Sequence, residues 1–293
     1  MNGVNGHPAM VLNDGNAMPR LGLGLMRHSG KDMTSVVIRR AFDAGYRLFD
    51  TASVYGTEPQ TGDAIRNLGV DRRETFVTSK LWNADQGADK ARVALEGSLK
   101  RLGLDQLDLY LMHWPCPALG LYVETWQALI ELKQAGLARS IGVSNFQIAH
   151  LEELIEKTQV VPAVNQVEVH PYFQQRQLHE FHQRHGIATQ AWSPFGGGGK
   201  GTVGALLDDP LILEIAQKHG RSAAQVVLGW HLGMAISVIP KATSERHLSD
   251  NYDSLTLQLD TDDLAMMATL DRPDGRVGAD PDTMNYQGRR SER

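Results

Sequence analysis

The chain has 293 residues, 42% of them hydrophobic and 22% charged, a makeup that supports a globular protein with a sizeable core. A formal net charge of -5 argues against nucleic acid and anionic membrane surfaces as main partners, since both select clustered positive charge. The single cysteine, Cys116, allows no internal disulfide, and the opening MNGVNGHPAM lacks the basic and apolar regions of a secretory signal, so a cytoplasmic location is expected.

In chain order, the first predicted element is a hairpin around the turn NDGN at 13–16, placed to plug one end of the fold, with residues 1–9 irregular before it. Strand-like runs follow at LGLGL (21–25), LFDTA (48–52), TFVTSKL (75–81), LDLYLMHW (107–114), ARSIGVSN (138–145), PAVNQVEV (162–169), ATQAWSP (188–194) and ISVIPK (236–241). Helical patterns lie between them. ETWQALIELKQAG puts Trp126, Leu129 and Ile130 on one face, and QIAHLEELIE does the same with Ile148, Leu151, Leu154 and Ile155. Gly45, Gly69, Gly136, Gly186 and Gly220 each follow a helical pattern, where a left-handed residue closes a helix. Eight βα units without a linker or a composition break predict an α/β protein, a single (β/α)8 TIM barrel over residues 1–293, with a doubly wound sheet as the alternative. The run at 223–240 is broken by Gln225, His231 and two glycines, so no segment is expected to span a bilayer. The tail at 272–293 is polar, rich in Gly and Pro, and reads as irregular.

In such a barrel the C-terminal strand ends converge on one mouth, where active sites sit. Those ends carry Asp50, Lys80, His113, Ser144 with Asn145, Gln166 with Glu168, Ser193 and Lys241, and Tyr55 follows Asp50 in its loop. Each alone has an ordinary reading: Asp50 a helix cap, Lys80 a solvated strand end, Tyr55 a packing residue, His113 a core histidine satisfied by a carbonyl. An aspartate, a lysine and a histidine from three consecutive strands point instead to shared chemistry.

Six motifs, RLFDTASVYGTE, TSKLWN, LYLMHWP, GVSNF, NQVEVHPY and VIPKATSERHLSDN, stand in one order at these strand ends. Together they resemble the aldo-keto reductases, above all the short-looped bacterial 2,5-diketo-gluconate reductase type, from about residue 10 to 271. The resemblance implies hydride transfer from a nicotinamide to a carbonyl. A tyrosine hydroxyl, with an ordinary pKa of about 10, is a poor acid at neutral pH unless a neighbouring cation favours its phenolate. The implied roles are Tyr55 as general acid, Lys80 as that cation, Asp50 as the carboxylate that keeps Lys80 charged and aimed, and His113 as hydrogen-bond partner of the substrate oxygen.

On the cofactor side the resemblance implies Ser144, Asn145 and Gln166 at the nicotinamide carboxamide and Trp192 stacked on its ring, core packing being the alternative for Trp192. Further cofactor contacts are implied for Ser193, Pro194, Phe195, Lys241, Ala242, Thr243, His247 and Asn251. The glycine run GGGGKG at 196–201 matches dinucleotide and P-loop patterns only trivially or not at all, and reads as a mobile loop over the pyrophosphate or as a plain linker. The histidines of HEFHQRH, His179 and His182 among them, lack metalloprotease spacing and read as a solvated helix face, and His170 reads as structural. No metal is expected.

Relatives that prefer NADPH carry a serine or threonine after the lysine and an arginine six places beyond it. Here Ala242 follows Lys241, and the sixth position is His247, with Arg246 one place earlier. Arginine is a permanent bidentate phosphate donor, whereas histidine carries no fixed charge near neutral pH. NADPH use with tolerance of NADH is therefore expected. Met26 stands where relatives often have an aromatic residue, and with Trp82 and Trp114 it would line a small apolar-walled pocket, core packing being the alternative. The short segment PCPALGLYVET suggests broad substrate selection. The expected function is NAD(P)H-dependent reduction of small aldehydes, ketones or keto-sugar acids by a monomer. A non-catalytic nucleotide-binding member of the same fold is the first alternative, a metal-dependent barrel hydrolase the second.

Overall fold

The computed structural model describes residues 3–4, 7–26, 31–196 and 206–288. Its first feature is antiparallel: Gly3–Val4 pairs with His7 and Pro8, and His7–Val11 pairs with Ala17–Pro19. The expectation that residues 1–9 are irregular is corrected for 3–4 and 7–9 by this pairing, the others lying outside the described residues. The turn inside the hairpin, closed by Leu12 N to Asn16 O at 2.8 Å with Gly15 at φ 83°, puts His7–Val11 back alongside Ala17–Pro19, so the earlier residues gain ladder partners.

Eight parallel strands follow: β1 (Gly22–Gly24), β2 (Leu48–Asp50), β3 (Phe76–Leu81), β4 (Leu107–Met112), β5 (Ala138–Ser144), β6 (Val164–Glu168), β7 (Ala188–Trp192) and β8 (Ser237–Val238). Each pairs with the next in sequence. A parallel bridge between Leu21 and Val238, with Gly24 N to Pro240 O at 3.2 Å, brings β8 back to β1 and closes a (β/α)8 TIM barrel. Every expected strand is present, shorter by one to four residues in most cases because the loops begin where the ladder stops.

Helices connect the strands on the outside: α1 (Lys31–Asp43), α2 (Glu58–Arg66), α3 (Ala88–Leu102), α4 (Tyr122–Gln134), α5 (Ile148–Thr158), α6 (Arg176–His185), α7 (Pro210–His219), α8 (Ala223–Gly233), α9 (Glu245–Asp253) and α10 (Thr261–Ala268). Their ends follow local rules. Asp209 caps α7 ahead of a proline, and Ser222 and Gln225 cap α8 reciprocally. Trp126, Leu129, Leu151 and Leu154 face inward and are fully buried, as their spacing predicts.

Strand alternation divides the core in two. Outward residues such as Phe49, Val77 and Tyr110 pack under the helices, while inward Leu48, Phe76, Leu109, Leu111, Val164 and Ala188 fill the barrel. Leu12 and Met18 of the hairpin join that inner cluster, so the hairpin does plug one end. Among the described residues no helix is long and apolar enough to cross a membrane.

One helix face is corrected. His182 of α6 is fully buried, 2.9 Å from both Asn165 Nδ2 and Thr189 Oγ1, and His179 is buried beside it, so neither belongs to a solvated face. The side of α6 that carries them is the one packed on β6 and β7, where polar strand residues give an imidazole partners. Burial pushes the pKa of His182 down to about 3 and that of His231 to about 4, from an ordinary 6.5. Between pH 6.5 and 4 the unfolded chain therefore binds protons that the native state refuses. Stability is full above pH 6.5 and should fall below it by about 1.4 kcal/mol per pH unit for each such histidine. Denaturant unfolding measured from pH 7 to 4.5 checks the slope, and His182→Gln should flatten it by one histidine's share.

Candidate active site

The inward alternation that buries Leu48, Phe76, Leu109 and Leu111 carries on to the strand ends and delivers polar groups there. Asp50 lies two residues past Leu48, Lys80 four past Phe76, His113 two past Leu111, Gln166 two past Val164 and Trp192 four past Ala188. The predicted Asp50, Lys80, Tyr55 and His113 come together at this mouth. Lys80 is wholly buried, and its Nζ donates to Asp50 Oδ1 at 2.5 Å and to the Thr51 carbonyl at 3.0 Å. The same ammonium lies 5.1 Å from the centre of the Tyr55 ring. Burial works against the charge on Lys80, but the Asp50 carboxylate and the Tyr55 hydroxyl outweigh it and leave the pKa raised. The ammonium stays charged at every physiological pH.

His113 stands edge-on to Tyr55, ring centres 5.7 Å apart, and edge-on to Trp82 at 5.2 Å. Burial first and the Lys80 charge second push its pKa well below 6.5, so the imidazole is neutral. Its Nδ1 is buried and has no protein partner. A groove of about 840 Å³, lined in part by Ser53, Tyr55 and Trp82 on one side and by Val93 and Gly97 of α3 on the other, opens next to these rings.

Ser144, Asn145 and Gln166, the residues expected at the carboxamide, are contiguous. Ser144 and Gln166 are register partners on β5 and β6, Ser144 Oγ donates to the Gln166 carbonyl at 2.7 Å, and Asn145 Nδ2 donates to the His113 carbonyl at 3.0 Å and to Ser144 Oγ at 3.1 Å. Asn145 adopts φ 64°, which turns its side chain back over the mouth. Gln166 spends both amide protons, on Asp50 Oδ2 at 2.8 Å and Gln190 Oε1 at 2.7 Å, so only its carbonyl oxygen can serve a ligand. Trp192 is half-buried, and its Nε1 donates to Asn145 Oδ1 at 2.8 Å.

Ser193, Pro194 and Phe195 follow Trp192, with Ser193 at φ 48°; Gly197 to Ala205, which hold most of the glycine run, lie outside the described residues. Lys241, Thr243 and His247 are exposed around the start of α9, Ser244 caps that helix through His247 N at 3.2 Å, and Ala242 and Asn251 are buried. Arg246 turns away to pair with Asp250 at 3.6 Å. Of the expected pocket walls, Trp82 meets His113, Met26 is 40% exposed at the rim after β1, and Trp114 is half-buried next to His113.

Sequence reasoning placed Glu168 at a strand end without giving it a role. Its carboxylate accepts hydrogen bonds from the backbone of Val277 and Gly278 in the tail. That partner lies more than a hundred residues away and has no local signature.

These residues and this barrel define a carbonyl-reducing class of site, and the comparisons agree. The sequence profile described as Aldo/keto reductase family matches residues 20–272. The chain belongs to that family. It is 47% identical over 277 residues to the Methylglyoxal reductase DkgA of Escherichia coli K12, covering 94% of this chain and 98% of the relative. An Aldo-keto reductase of Mycobacterium sp. strain KMS is 45% identical over 97% of this chain and all of its own. A crystal structure of a Gox0644 mutant in complex with NADPH superposes with a TM-score of 0.89 at 46% identity, covering 96% of this chain and 99% of that one.

Removing the carboxylate tests the ion pair. Asp50→Asn leaves a buried ammonium without its counter-charge and should cost about 3–5 kcal/mol in urea unfolding. Asp50→Leu combined with Lys80→Met should recover part of that loss, because no charge is left buried, although the Gln166 amide and the Thr51 carbonyl lose their partners. A double variant as unstable as the single one would refute the assignment.

Proposed function

We propose that the chain is an NADPH-dependent reductase of small aldehydes and ketones, with Tyr55 as general acid. The observation that carries this reading is a charged, fully buried Lys80 held between Asp50 and Tyr55 beside a neutral His113. A member that only bound nucleotide would have no use for an ion pair beneath a phenol.

The donor set suits a nicotinamide dinucleotide at both ends. Gln166 offers a carbonyl oxygen to the carboxamide NH2, and Lys241 and Thr243, ahead of the α9 N-terminus, offer a cation and a hydroxyl to phosphate. A reduced nicotinamide, when bound, supplies the hydride that the carbonyl carbon accepts. His113, being neutral, donates a hydrogen bond to the carbonyl oxygen without competing for its proton. Tyr55 then passes its hydroxyl proton to that oxygen, and the Lys80 ammonium stabilises the phenolate left behind. Asp50 keeps Lys80 charged throughout. The name of the Escherichia coli relative supports methylglyoxal as the first substrate to try.

Tyr55→Phe should lower kcat for methylglyoxal at least about a hundredfold while the affinity for NADPH, read from quenching of tryptophan fluorescence, stays within about threefold. A variant that keeps a tenth or more of the wild-type rate would remove Tyr55 from the acid role.

The phosphate end also carries a preference. Ala242 and His247 stand where a hydroxyl and a permanent cation would strengthen the hold on a 2′-phosphate, so we propose that NADH is accepted as well. His247→Arg should raise the ratio of kcat/KM for NADPH over NADH about tenfold, the worth of one added charge-assisted hydrogen bond. An unchanged ratio would assign the phosphate to Lys241 and Thr243 alone.

A further inference from the structure

We infer that the carboxylate of Glu168 is the latch that holds the C-terminal strap, residues 277–287, across the mouth of the barrel, and so sets how tightly the carbonyl substrate is retained. What the strap covers rests on the reductase reading; the latch rests on geometry alone. Glu168 ends β6, points inward as Gln166 does, and is 2% exposed. Val277 N donates to Oε1 at 2.7 Å and Gly278 N to Oε2 at 2.8 Å, while His170 Nε2 stands 3.0 Å from Oε1. Two consecutive backbone N–H groups aimed at one carboxylate form an anion-holding concavity, and bonds to an ionised acceptor are the strong ones.

Gly278 is required by the same contact. A Cβ there would lie 2.5 Å from Trp192 Cη2 and 2.8 Å from Glu168 Oε2. The strap therefore rests directly on the Trp192 ring, which holds Asn145, which in turn holds the His113 carbonyl. Its far end crosses to the opposite rim: Asn285 Oδ1 accepts from Ala118 N at 3.0 Å, the Tyr286 carbonyl from Asn83 Nδ2 at 2.8 Å, and the Gln287 carbonyl from Trp82 Nε1 at 3.3 Å. The two ends thus sit on Trp192 and Trp82, and Trp82 touches His113.

The far anchors are hydrogen bonds at the rim, with an exposed Asp282 carboxylate 3.6 Å from His150 Nε2 between the two ends, whereas the near anchor is a buried carboxylate that takes two backbone N–H groups. Loss of the near anchor frees the cover while the Asp50–Lys80 pair keeps its own partners and β6 stays paired to β5 and β7. Glu168 is thus a positioning residue whose loss weakens substrate retention rather than turnover.

Glu168→Gln keeps the side-chain shape but sets an amide NH2 against one of the two strap N–H groups. Hydrogen–deuterium exchange at 277–278 should quicken at least about tenfold, with peptides from β2 to β4 unchanged, and KM for methylglyoxal should rise about tenfold with kcat within about twofold. Gly278→Ala, which keeps the Glu168 carboxylate but sets a methyl group against it and against Trp192 and so pushes the strap off, should give the same signature. The double variant should be no worse than the worse single one. Unchanged exchange at 277–278, a fall in kcat at constant KM, or effects that multiply in the double variant would each overturn the latch. If the wild type reduces no carbonyl, the reductase reading fails by itself, and the exchange measurement alone decides the latch.

Discussion

Lys80 Nζ lies 2.5 Å from Asp50 Oδ1 with no exposure to solvent, and an ion pair so placed survives only where its remaining hydrogen-bonding capacity is met. Here it is met. The ammonium has the Thr51 carbonyl and the neighbouring Tyr55 hydroxyl, and the second carboxylate oxygen has the Gln166 amide, which is itself fixed by Gln190. One polar chain thus runs from β2 through β3 and β6 to β7. Each link on its own would leave a costly buried group, and together they leave none at the pair.

Barrel geometry makes this arrangement reachable. Inward positions recur every second residue, so the same face that packs Leu48, Phe76 and Leu109 at one end must present something at the other. The apolar lower layers, sealed by Leu12 and Met18, supply the burial that makes a charge there matter, while the loops past the strand ends supply the opening. Tyr55 needs that opening. It sits in the loop after β2 rather than on a strand, beside the groove along α3, and its ring centre still stands 5.1 Å from Lys80 Nζ.

This division explains what was legible in the sequence. Strand ends are marked wherever an apolar run stops on a polar residue, so Asp50, Lys80, His113 and Gln166 were readable from alternation and the eightfold βα rhythm. The side of α6 that carries His182 was not. A histidine counts as polar on a helical wheel, and only the Asn165 and Thr189 side chains on neighbouring strands make it an inward residue. The path of the tail was hidden for a similar reason. It has no periodicity, and its course is set by contacts with Glu168, Asn83 and Trp82 far away in the sequence. The outer part of the hairpin, His7–Ala9, escaped because Pro8 interrupts it and no alternation marks it.

The mouth also acts on two nitrogen bases in opposite directions. Lys80 and His113 share nearly the same burial, which by itself would strip the charge from both. Lys80 escapes because Asp50 touches it; His113 has no carboxylate at hand and feels the Lys80 charge as repulsion, so it is driven further toward neutrality. The charge of one base therefore adds to the burial that already neutralises the other. A protonated His113 would repel the ammonium and, in the proposed reaction, would offer the substrate oxygen a second acid beside Tyr55. A neutral Lys80 would leave the Tyr55 phenolate of the proposed reaction unsupported. Asp50, which contacts only one of the two, thus keeps Lys80 charged and through that charge adds to the burial that neutralises His113.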